Sequence, residues 1–61
     1  MFVIWIKKKF AFYNGLIDKT DGFIGTSKDL LSARRMDEEE TKMICKELDK
    51  LKEPYAVLKY C

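Results

Sequence analysis

The chain has 61 residues, with twelve Lys and Arg against ten Asp and Glu and a formal charge of +2. A chain this short makes one domain and buries only about 60% of its unfolded surface, so its core is marginal unless something supplements it. A charge so near balance does not by itself argue for nucleic acid or a membrane surface. The lack of histidine removes the usual general base, the Ser-His and Cys-His pairs and the commonest metal ligand.

In chain order, Phe2 to Ile6 has the β-branched and aromatic composition of a strand. Apolar residues followed by Lys7, Lys8 and Lys9 are the reverse of a secretory signal, and six residues are too few to span a bilayer. Cys45 and Cys61 are too few for a framework of bridges, so the expectation is a reducing cytoplasm with both thiols free. With no metal set either, oligomerisation or a partner remains as the supplement for a small core. Lys7 to Lys9 predicts a hairpin turn. Phe10 to Tyr13 predicts a second strand, stopped by the turn dipeptide Asn14-Gly15.

Asp18 to Gly22 reads as a polar loop, and Phe23 and Ile24 as the start of a short third strand. Ser27 to Leu31 predicts a single capped turn. Ala33 to Met36 either returns to the sheet or links onward. The clearest element is a helix from about Glu38 to Lys52. Asp37 is its N-cap, and Glu40, three residues on, completes the spacing of a capping box. Glu38, Glu39 and Glu40 suit the positive end of the macrodipole, and Lys50 and Lys52 the negative end. Ile44, Leu48 and Leu51 make one apolar stripe flanked by Thr41 and Cys45. Pro54 closes the helix, and Tyr55 to Tyr60 is a last strand. The expectation is an α+β fold over a single domain, 1–61: a small antiparallel sheet of three or four strands packed on one helix in the C-terminal half.

A sheet covered by one helix should be apolar on one face and polar on the other. These strands are not. Phe2, Ile4 and Ile6 point one way and Val3 and Trp5 the other. Phe10 and Phe12 oppose Ala11 and Tyr13, and Tyr55 and Val57 oppose Ala56, Leu58 and Tyr60. One helix covers one face. The other is covered by the segment from Leu16 to Leu31 folding back as a lid, by self-association, or by a different partner. If it is uncovered, each large side chain buried there contributes roughly 1.5–3 kcal/mol to a contact. The expected contact residues are Trp5, Tyr13, Tyr55 and Met43, with Arg34 and Arg35 as a polar rim.

The remaining chemistry is thin. Cys45 lies near the helix stripe and reads as a small core residue rather than a nucleophile, and Cys61 as idle. Asp18 and Asp21-Gly22 lack the ligand spacing of a calcium loop. The three consecutive glutamates are either an acidic recognition patch or simply the charges a helix start favours. Lys7 to Lys9 beside Trp5, Phe10 and Phe12 is a pattern found on single-strand binders, although the aromatics are more simply core. Arg34 and Arg35 either hold an acidic partner or pair with Glu39 and Glu40.

Five segments carry a resemblance: the opening Phe2-Val3-Ile4, the aromatic stretch before Asn14-Gly15, Thr26 to Leu30 leading into Ala33 to Met36, the helix opened by Asp37 to Glu40, and the closing Tyr55 to Leu58. As a whole the chain resembles short uncharacterised proteins of phages and prophages of low-GC bacteria. Lysine outnumbering arginine ten to two agrees with the codon usage of such genomes. The resemblance covers most of the chain as a pattern of hairpin, helix and strand, and it carries over no residue roles. It implies a class whose members act stoichiometrically, by blocking a host enzyme or a bacterial defence complex. Together with the two-sided apolar sheet and the missing catalytic set, the expectation is a non-catalytic inhibitor of a host defence or replication protein in the bacterial cytoplasm, acting as a homodimer. The residues themselves lead to an expectation of no enzyme activity, cofactor, metal, membrane or small-molecule substrate. The alternative reading of the residues is a small nucleic-acid binder that uses the lysine turn.

Overall fold

The structure is a computed structural model that describes residues 1–18 and 20–60. Cys61, expected to be idle, and Lys19 of the polar loop lie outside the described residues. The described residues form β1 (Phe2–Ile6), β2 (Ala11–Asp18), β3 (Phe23–Ser27), a 3-10 turn (Leu30–Ser32), α1 (Glu38–Lys50) and β4 (Tyr55–Lys59). The strands form one antiparallel sheet in the order β3-β2-β1-β4, so the first strand is paired on both sides, by β2 and by the last strand. The α+β expectation describes this fold.

α1 begins where its sequence says. Asp37 accepts a hydrogen bond from the Glu40 amide at 2.8 Å, and the Thr41 hydroxyl donates to the Asp37 carbonyl at 2.6 Å. The reciprocal half of a capping box is replaced, because both Glu40 carboxylate oxygens accept from Arg34. The helix stops at Lys50, short of the expected Lys52, through a Schellman arrangement: Glu53 N–H donates to Leu48 C=O and Lys52 N–H to Asp49 C=O. Lys52 therefore takes the left-handed conformation, φ 56°, at the position where glycine is favoured. Lys52→Gly is expected to stabilise the fold by about 0.5–1 kcal/mol, read as a higher urea midpoint at unchanged slope.

The Asn14-Gly15 dipeptide does not end β2. The strand continues to Asp18, and the true turn is the polar loop before Phe23. Between Tyr13 and Ile17 β2 advances four residues while β3 moves only two, from Thr26 to Ile24. The surplus is a bulge, with Gly15 at φ 102° and the Asn14 side-chain oxygen accepting from the Leu16 amide. A bulge bends a strand, and here it curls the end of the β2–β3 hairpin over the face that α1 covers. Ile24 joins the same buried cluster as Ile4, Ile6, Tyr13, Met36 and Leu48, Gly22 packs near Leu51, and the Lys9 ammonium reaches the Ile24 carbonyl at 3.1 Å. The middle segment is a lid after all, but on the helix side. Leu16, Phe23, Leu30 and Leu31 remain exposed rather than sealing the opposite face.

Past Tyr13, β1 and β2 part, and residues 33–36 enter the fork. Arg34 N–H donates to Tyr13 C=O at 2.9 Å, and Phe2 and Met36 exchange backbone bonds as an antiparallel bridge. Of the two readings for Ala33 to Met36, a return to the sheet is the one found. Met36 is fully buried there and completes the core. Phe10, expected in the second strand, instead sits in the β1–β2 turn at φ 50° and is 72% exposed.

Candidate interaction surface

The register settles which side chains share a face. Ile6 pairs with Ala11 and with Tyr55, and Ile4 with Val57, so these share the helix-side face with Tyr13; Ile4, Ile6, Tyr13 and Tyr55 pack in the core there, while Val57, on the edge strand, stays exposed. Trp5 pairs with Phe12 and with Ala56, and Val3 with Leu58, so these lie on the opposite face. That side lies away from α1 and is unevenly exposed: Val3 is buried, Ala56 half-buried and Leu58 open to solvent. Trp5 and Phe12 meet edge to face, ring centroids 5.0 Å apart, a geometry that aligns the positive rim of one ring with the negative face of the other. Both rings are half-buried, and Leu58 is exposed.

One end of this face is closed by a cation. Met36 points into the core, so its neighbour Arg35 projects to the open side. Tyr60, whose amide donates to Met1, projects to the same side from β4. The Arg35 guanidinium lies 4.7 Å from the Tyr60 ring centroid and donates to its hydroxyl at 3.3 Å, bridging across β1. Val3 lies beside this bridge and is buried. The surface is thus an aromatic and aliphatic strip, Trp5, Phe12, Ala56 and Leu58, bounded by an Arg–Tyr stack.

The six expected contact residues do not fall on one patch. Trp5 and Arg35 are on the open face. Tyr13 is 2% exposed and Tyr55 half-buried, both on the helix side, which corrects their grouping with Trp5. β1 and β4 alternate as their sequences say; what the sequence left out is which residue of one strand stands opposite which residue of the next. Met43 is 67% exposed on the helix flank shared with Glu40, turned away from the Cys45 flank by its angular position. Arg34 makes a two-pronged pair with Glu40, at 3.0 and 3.2 Å, and packs its methylenes beside Gly15. Of the pairings expected for the two arginines with Glu39 and Glu40, the Arg34–Glu40 pair is the one present. Phe12, Leu58 and Tyr60 were missed as contact residues, although the alternation of β4 had placed the last two on one face.

The titratable groups shift for structural reasons. Burial, followed by the negative charge of Glu40, pushes the Tyr13 hydroxyl above its ordinary value, against the opposing effect of Arg34. Tyr55 is pushed up to about 12 by its hydrogen bond with Cys45, by burial and by the neighbouring Asp49. Cys45 is half-buried against the core, with a free thiol. Among the described residues there is no cluster of three metal-ligating side chains, no enclosed pocket and no helix long and apolar enough to cross a membrane. Comparison with protein-family models, with curated proteins and with solved structures found no match.

Proposed function

We propose that the chain is a non-catalytic interaction protein that acts as a homodimer and offers its open sheet face to a partner protein. The observation that carries this reading is the strip of Trp5, Phe12, Ala56 and Leu58 on the sheet face away from α1, with an Arg35–Tyr60 stack at its end. Tryptophan, tyrosine and arginine are the side chains that most often dominate interface energetics, and a contiguous apolar patch with a polar edge is the usual anatomy of such a site. The resemblance to small phage and prophage proteins supplies the class of partner: a host defence or replication protein that is blocked by occupancy.

The test is capture from bacterial host lysate with the intact chain and with Trp5→Ala, each first shown to be folded by circular dichroism. A partner bound through this face is expected to lose about thirtyfold in affinity when its aromatic anchor is truncated. Equal capture by both proteins removes the reading. A second reading has Lys7, Lys8 and exposed Phe10 at the first turn engaging nucleic acid. It is weaker, because Lys9 is committed to the Ile24 carbonyl and lies 5.6 Å from the Phe23 ring centroid. Binding that survives Trp5→Ala but falls steeply with salt would transfer the function to that turn.

A further inference from the structure

We propose that two copies of this chain join through the free edges of their β4 strands, antiparallel and centred on Val57, into one continuous eight-stranded sheet. This names the seat of the self-association proposed above and rests on that reading. It begins with the direction of the backbone groups. Tyr60 N–H donates to Met1 C=O, and Pro54 C=O accepts from Lys7 N–H, so the even-numbered residues of this stretch turn their backbone groups toward β1. Direction alternates along a strand. The N–H and C=O groups of Tyr55, Val57 and Lys59 therefore point outward, along an edge of the sheet that no described strand occupies.

Proteins usually protect such an edge with a proline, an inward-facing charge, a bulge or a cover. β4 carries no proline and no bulge within Tyr55 to Lys59, and its one charge, Lys59, stands at its last position. Its register with β1 is unbroken over five pairs, and Val57 and Leu58 are 41% and 44% exposed. The opposite edge of the sheet differs. There the Lys9 ammonium occupies the Ile24 carbonyl and the neighbouring strand is bulged. Of the two edges, β4 is the one built to pair.

The sequence of β4 also matches itself when reversed. With Val57 on the two-fold axis, Tyr55 faces the partner's Lys59 and Ala56 faces the partner's Leu58. Every outward N–H and C=O of Tyr55, Val57 and Lys59 then meets its complement. The cation of Lys59 lies beside an aromatic ring rather than beside another lysine, and a small side chain faces a large one. Parallel pairing in register would instead set Lys59 against Lys59. The two-fold axis runs through the sheet, so both helices stay on one side and both open faces join on the other. That leaves the Trp5–Phe12 strip free and continuous for a partner.

Sedimentation of the full chain from micromolar to millimolar concentration, with amide hydrogen exchange at both extremes, tests the pairing. The expected result is a species of twice 7.2 kDa. Val57→Lys, which brings two ammonium groups together on the axis, should raise the dissociation constant at least about tenfold while the circular dichroism is unchanged. In the unaltered chain the Val57 amide should exchange freely at low concentration and become protected as the dimer fills. A dimer indifferent to Val57→Lys and dissolved by Trp5→Ala overturns the edge pairing but keeps self-association, now through the open face. A single 7.2 kDa species throughout, with the Val57 amide never protected, overturns both. Even then the Trp5 capture experiment still decides the partner surface.

Discussion

Leu48→Ala is expected to leave the chain unfolded at room temperature. Leu48 is fully buried in the cluster of Ile4, Ile6, Tyr13, Ile24 and Met36, and it is the one helix residue in that cluster. Truncating such a leucine costs about 2–5 kcal/mol, through lost transfer energy and the cavity left behind. A core of this size supplies only about 3–5 kcal/mol in total, so the loss is comparable with the whole stability. Far-ultraviolet circular dichroism and a urea titration measure it. A cooperative transition that keeps most of its midpoint would mean that the curled hairpin, not the helix, carries the core.

The second large effect is expected at Gly25. A β-carbon there would strike the Asn14 side-chain oxygen and approach the Leu16 β-carbon to 2.8 Å, with both neighbours held by the bulge. Gly25→Ala should therefore cost about 1–3 kcal/mol, as overpacking does elsewhere. The strain should be relieved at the bulge, so Asn14→Gly, which removes the struck oxygen, should recover part of the loss. A thermal-melt comparison of the single and double variants gives the coupling directly. Additive losses would show that the cost at Gly25 does not come from its contact with Asn14.

The helix was legible because its determinants are local. Asp37, the glutamate run, the stripe of Ile44, Leu48 and Leu51, and Pro54 all act within a turn or two of the residues they organise. Strand positions were legible for the same reason. Asn14-Gly15 was misread as a turn because a glycine at positive φ serves a hairpin turn and a bulge equally well; the choice depends on β3, which enters later in the chain. Phe10 was misread because nothing in its composition shows that four residues, not three, make the first turn. Trp5 was placed on the free face by counting alone. The Arg35–Tyr60 stack joins residues 25 apart and Met36 reaches back to Phe2, so neither leaves a trace in any local window. Tyr13 shows the limit most clearly. Its parity within β2 was right, and its face was decided only by the pairing of Ile6 with Ala11.

The pairing of β1 with β4 bears on the order of events during synthesis. Phe2 to Ile6 is the most apolar strand, yet one of its two flanks is supplied by Tyr55 to Lys59, nearly the whole length of the chain away. While the nascent polypeptide is still emerging, that flank has nothing to bond with, and the domain closes only when the last strand clears the exit tunnel. Closure therefore waits on β4, and until that strand emerges a greasy ribbon stands exposed to a chaperone or to a wrong partner.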